Sequence, residues 1–147
     1  MTESAPGAPV RGPADRGRTT IADGVVEKIA GLAAREVPGV HALGSGLART
    51  VGSLRDRVPG GAKAAASRGV KAEVGEVQTA LDLELVVDYG VSIRDVARSV
   101  RENVVASVER MTGLEVVEVN IAVTDVKLPD EGDEDEEAPE PTRTRLQ

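Results

Sequence analysis

Few residues in this chain are of a type that does chemistry. Among its 147 residues there is no Cys and a single His, His41. Thiol nucleophiles, disulfides and Cys-ligated zinc or iron-sulfur sites are therefore excluded, and one His cannot build a two-histidine metal site or relay. His41 follows Pro38 and Gly39 with no Ser or Asp at the spacing of a nucleophile-base motif, so it reads as a turn or surface histidine and not as a general base. Asp82, Glu84 and Asp88 alternate along one strand face and could gather a divalent cation. No Asp-x-Asp-x-Asp-Gly loop accompanies them, and a solvated strand face is the simpler reading. Phosphate loops of the Gly-x-x-x-x-Gly-Lys-Ser/Thr and Gly-x-Gly-x-x-Gly types are absent, and Gly44-Ser45-Gly46 is a fragment of neither. No two glycines stand three positions apart, which removes the phosphate clamp of a KH-like domain. Tyr89 is the only aromatic ring and lies in phase with the apolar face of its strand, leaving no stacking platform for bases. The expectation is a non-enzyme with no catalytic residues, no cofactor and no metal.

The charged residues are more suggestive. Between Gly46 and Ala72 six bases (Arg49, Arg55, Arg57, Lys63, Arg68, Lys71) face Asp56 alone, a local charge of +5. Such a patch can hold phosphates weakly, so a small nucleic-acid- or phosphate-binding module using residues 46–72 is the alternative function, and the less favoured one. Within the same stretch Leu47, Val51, Leu54 and Val58 are spaced 4, 3 and 4, which on a helix makes one stripe flanked by Arg49, Arg55 and Arg57. A basic amphipathic segment of this kind docks in a partner's groove or on an anionic membrane surface, unless it packs its stripe back on its own domain. These seven residues are the candidate docking site. Gly52 within the stretch and Pro59, Gly60 and Gly61 after it make it short, inside a basic, Gly-rich loop at about 46–68.

The elements around this loop follow from apolar spacing. A helix is expected over 22–37, with Val25, Val26, Ile29, Ala30 and Ala33 on one side, ended by Pro38 and Gly39. A second is expected over 92–112 on the stripe Ile93, Val96, Ala97, Val100, Val104, Val108 and Met111, with Ser92 as N-cap and Gly113 closing it. Period-two alternation marks Val70 to Val74 and Val77 to Tyr89, and the phase switch at Gly75 and Glu76 predicts an antiparallel hairpin. A last strand over 114–128 slips phase near Val116 and Val126, where bulges are expected. Val40 to Leu43 supplies a short edge strand. The order α-β-β-β-α-β gives an α+β two-layer sandwich: an antiparallel-rich sheet of three or four strands with both helices on one face.

The single domain, 20–129, lies between two stretches read as disordered. Residues 1–19 are rich in Pro, Gly and Ala, with no apolar run of a signal peptide. Residues 130–147 hold eight acids and two bases, a net of −6 out of −7 for the whole chain. That acidic tail is expected either to act only as a solubilising end or to mask the basic loop. No stretch approaches the ~18 apolar residues of a membrane span, so the expected location is cytoplasmic, with any membrane association peripheral or borrowed from a partner.

Taken together, the segments 21–30, Glu36-Val-Pro-Gly-Val40, Gly69 to Val74, Val86 to Ile93 and Met111 to Ile121 resemble the alkaline shock protein (Asp/Gls) family of envelope stress response proteins. The most specific pieces are Tyr89-Gly90, Met111-Thr112-Gly113-Leu114 and Val119-Asn120-Ile121. Gly46-Leu-Ala-Arg49 and Val58-Pro-Gly-Gly61 are similar to its high-GC Gram-positive branch. The resemblance implies a non-enzymatic bacterial protein of cell-envelope homeostasis that self-associates and is recruited to the inner face of the membrane by a membrane-anchored partner.

Overall fold

A computed structural model describes residues 11–44 and 68–130. The described residues form helix α1 (Asp23–Arg35), strands β1 (Val40–Leu43), β2 (Val70–Val74) and β3 (Gln78–Asp88), helix α2 (Ile93–Thr112) and strand β4 (Glu115–Lys127). This is the expected α-β-β-β-α-β order in a two-layer α+β sandwich. Within residues 11–16, part of the stretch read as disordered, Pro13–Asp15 makes a 3-10 turn, with the Arg11 guanidinium donating to the Asp15 carbonyl at 3.1 Å.

β3 is the spine of the sheet. β2 pairs with its first half and β1 with its second half, both antiparallel, while β4 runs parallel along its other side from Gln78↔Glu115 to Asp88↔Lys127. The parallel ladder follows from chain order, since a helix connects β3 to β4 and such a crossover returns the chain in the same direction. β1 and β2 thus lie end to end on one side of β3. At their junction the Gly44 N–H donates to the Glu84 carbonyl at 2.8 Å, and the Glu84 N–H donates to the Gly69 carbonyl at 2.9 Å. Gly69 has φ +80°, and a Cβ placed on it would stand 2.3 Å from the Gly44 nitrogen, so no other residue fits where the two ends meet.

Both helices lie on one face, packed on each other and on Leu81, Leu83, Leu85 and Val87 of β3. The core is Val, Leu and Ala: Val26, Ala30 and Ala34 from α1, Val100, Val104 and Val108 from α2, and Leu43, Ala72 and Val119 from the other strands. Asn103 ties the helices, its Nδ2 donating to the Ala33 carbonyl at 2.7 Å and, more weakly, to Glu36 Oε1 at 3.5 Å. At the end of α2 the Thr112 hydroxyl donates to the Val108 carbonyl (2.7 Å) and accepts from the Leu114 N–H (3.0 Å), while Gly113 takes the left-handed conformation. The Thr-Gly-Leu sequence is therefore a C-cap that turns the chain from helix into strand.

Several expectations are corrected in detail. Tyr89 is 65% exposed, not on the core face, because β3 ends at Asp88 and the chain turns away. Val77, in phase with the core, sits in the turn before β3 and is exposed for the same reason. Ser92 occupies the N-cap position of α2, yet its side chain makes no capping bond; its carbonyl accepts from the Val96 N–H. His41 is in strand β1, as the extra residue at the register break of that strand, and not in a turn. The two slips of β4 are bulges at Val117 and Thr124, within two residues of where the alternation failed.

Candidate partner-docking surfaces

The seven residues Leu47, Arg49, Val51, Leu54, Arg55, Arg57 and Val58 lie outside the described residues, as does the acidic run after Asp130. What the structure places is the root of their segment, at Gly44 and Gly69 beside Glu84. Of the six bases in that region, two are described. Lys71 stands directly across the ladder from Asp82, so this end of the basic run lies beside a carboxylate.

The face of the sheet away from the helices is acidic. Alternation puts Glu73, Asp82, Glu84 and Asp88 of β2 and β3 there, with Glu115, Glu118 and Asp125 of β4, against Lys71 and Lys127: a formal net of −5. Two of the three carboxylates considered for a cation are engaged by neighbours. Asp82 Oδ1 accepts from Asn120 Nδ2 at 3.0 Å, and Asp88 Oδ1 is 3.5 Å from His41 Nδ1. Among the described residues no three His, Asp or Glu side chains form a metal-holding group. Val86, also on this face, is 2% exposed although it lies outside the core under the helices.

The other surface was not singled out by the sequence reading. Between the outer sides of α1 and α2 runs an apolar groove of about 640 Å³, floored by Val25, Ile29, Leu32, Ala33 and Met111 and edged by Lys28, Glu36, Ser107 and Arg110. Val25 is 49%, Leu32 53% and Met111 65% exposed. Scattered surface Leu or Val residues are ordinary, whereas three on one groove are the kind of patch that marks an interaction site. The available signal was Leu32, an apolar residue off the core-facing stripe of α1, and Met111, at the helix end beyond the sheet. Among the described residues no helix is long and apolar enough to cross a membrane.

The described residues thus define a two-layer α+β domain with an apolar groove on its helices and an acidic open sheet face. The chain is a member of the Asp23 (alkaline shock protein) family, described as having a cell envelope-related function, whose family model matches residues 11–128. Over 112 residues it is 37% identical to the stress response regulator gls24 homologs of Streptococcus pyogenes serotypes M3 and M1, covering 76% of this chain and 60% of theirs. The chain thus spans less than two thirds of those relatives. It is 36% identical to the uncharacterized protein YqhY of Bacillus subtilis over 112 residues, 76% of this chain and 78% of that one. No solved structure matches. The gls24 homologs are named as stress response regulators, these relatives come from Gram-positive bacteria, and neither that name nor the family description is of an enzyme.

Proposed function

We propose that this protein is a non-enzymatic adaptor of the cell-envelope stress response, working on the cytoplasmic side of the membrane by associating with itself and by docking on a membrane-anchored protein. The observation that carries this reading is the α1–α2 groove, with its three half-exposed apolar side chains. Its occupant is an amphipathic helix of the anchored partner. An apolar face fills the Val25–Leu32–Met111 floor, and an acidic flank meets Lys28 and Arg110 at the edge. The basic segment Leu47 to Val58 is a second contact in the same role, reaching the membrane surface or the anchored protein.

Membrane fractionation of cells carrying full-length variants tests the groove. Leu32→Glu with Met111→Glu is expected to move the chain from the membrane to the soluble fraction with its circular dichroism unchanged. Deletion of residues 46–66 is expected to lower co-sedimentation partially. A doubly substituted, folded chain that still sediments with membranes overturns the groove as the docking site.

A further inference from the structure

A sheet has two edges, and here they are finished differently. On β2 the outward Ala72 N–H donates to Glu27 Oε2 at 3.0 Å, so a carboxylate from α1 blocks the middle of a five-residue strand. Inward-pointing charges on a short edge are a common device against strand pairing.

β4 is 13 residues long. The Glu115 N–H donates to the Val77 carbonyl at 2.8 Å and the Lys127 carbonyl accepts from the Tyr89 N–H at 3.0 Å, so both ends of the strand aim these backbone groups at β3. Alternation through the two bulges then turns the backbone groups of Val116, Val119, Ile121, Val123 and Val126 outward. Side chains confirm that direction and close the ends of the edge: the Val116 N–H donates to Glu109 Oε2 (3.0 Å), the Val119 carbonyl accepts from Arg101 Nε (3.1 Å), and the Val126 N–H donates to Asp125 Oδ1 (2.8 Å). Between these blocks the outward N–H and C=O of Ile121 and Val123 meet no side chain of the described residues, and Ala122 between them is exposed.

We infer that this window of β4 pairs with the same window of a second copy, antiparallel, about a twofold axis at Ala122. Ile121 then lies opposite Val123 of the partner copy, and each such pair exchanges both backbone hydrogen bonds. On the open face Ala122 meets its own symmetry mate and Asn120 lies opposite the bulge at Thr124, whose hydroxyl donates to the Leu85 carbonyl at 3.3 Å, so no carboxylate of this acidic face stands opposite another inside the window. Registers centred on Glu118 or Asp125 would set a carboxylate against itself. A twofold contact is closed and yields a dimer. This inference rests on the self-association proposed above and gives it a surface.

Charge placed on the axis tests it, because Ala122 is exposed on the open face, outside the core and across the ladder from Glu84. In sedimentation equilibrium of the full chain, Ala122→Lys and Ala122→Glu are each expected to weaken the wild-type dimer by about tenfold or more, through like-charge juxtaposition. An equimolar mixture of the two is expected to restore association. The chain has no cysteine, so Ala122→Cys introduces its sole thiol. A non-hydrogen-bonded antiparallel pair holds Cα atoms about 4.5 Å apart, and oxidation is expected to give a disulfide-linked dimer faster than Lys71→Cys does on the same face. Wild type that associates while Ala122→Lys and Ala122→Glu associate equally well overturns the β4 interface and leaves self-association standing. Wild type that is monomeric at every concentration overturns both. Edge amides protected from hydrogen exchange only when membranes are added assign the edge to a partner's strand and overturn the twofold.

Discussion

Glu84 and Leu85 are neighbours on β3 and belong to opposite worlds. Leu85 is fully buried under the helices with Leu81, Leu83 and Val87, whereas Glu84 stands on an exposed face of net −5 with no helix of the described residues over it. The helix side carries nearly all of the apolar burial and hence the stability; the open side carries charge and little packing. A division of this kind lets one face vary in chemistry without unfolding the other, which suits a domain whose task is contact.

Substitutions on the two faces measure how complete the division is. Leu85→Ala is expected to cost about 2–5 kcal/mol in denaturant unfolding, the range for a cavity in a closely packed core. A loss below ~1 kcal/mol would mean that the helix layer is loosely seated. Asn103→Leu removes the donor to the Ala33 carbonyl between the helices, and about 1–3 kcal/mol is expected for a part-buried acceptor left without its partner. No change would show that water takes its place. The smallest effect is expected on the open face. Glu84→Gln should alter stability by under ~0.5 kcal/mol, in the stabilising direction at low salt because it relieves like-charge repulsion. That gain should fade as salt rises, with a Debye length of ~8 Å at physiological ionic strength. A large loss for Glu84→Gln would instead give this side chain a structural bond and blur the two faces.

The sequence was legible where one face of an element is buried. The stripe Val96, Val100, Val104 and Val108 and the alternation Leu81, Leu83, Leu85 and Val87 announced α2 and β3, since burial enforces their period. It failed at the ends of the same patterns. Val77, Tyr89 and Met111 keep the apolar phase beyond the point where a second layer exists to cover them, so phase alone could not tell buried from exposed. Capping was half legible: Gly113 at the end of α2 follows from its left-handed conformation, but a serine at the N-cap position does not oblige its hydroxyl to bond. The groove lay hidden because it is built from two helices far apart in sequence, and the open window of β4 because backbone groups leave no trace in residue type. Where the bulges fall was readable to within two residues, as the slip in alternation is itself the bulge.

Where β1 stops and β2 starts, the sheet meets what is in effect one strand with a cut in it, its two lips held together at Gly44 and Gly69. These lips fix where the chain leaves and re-enters the sheet, and a flexible connection of twice the length would add only about 0.6 kcal/mol of closure entropy. The seam between β1 and β2 is thus made by the backbone bonds to Glu84, which hold both ends in place.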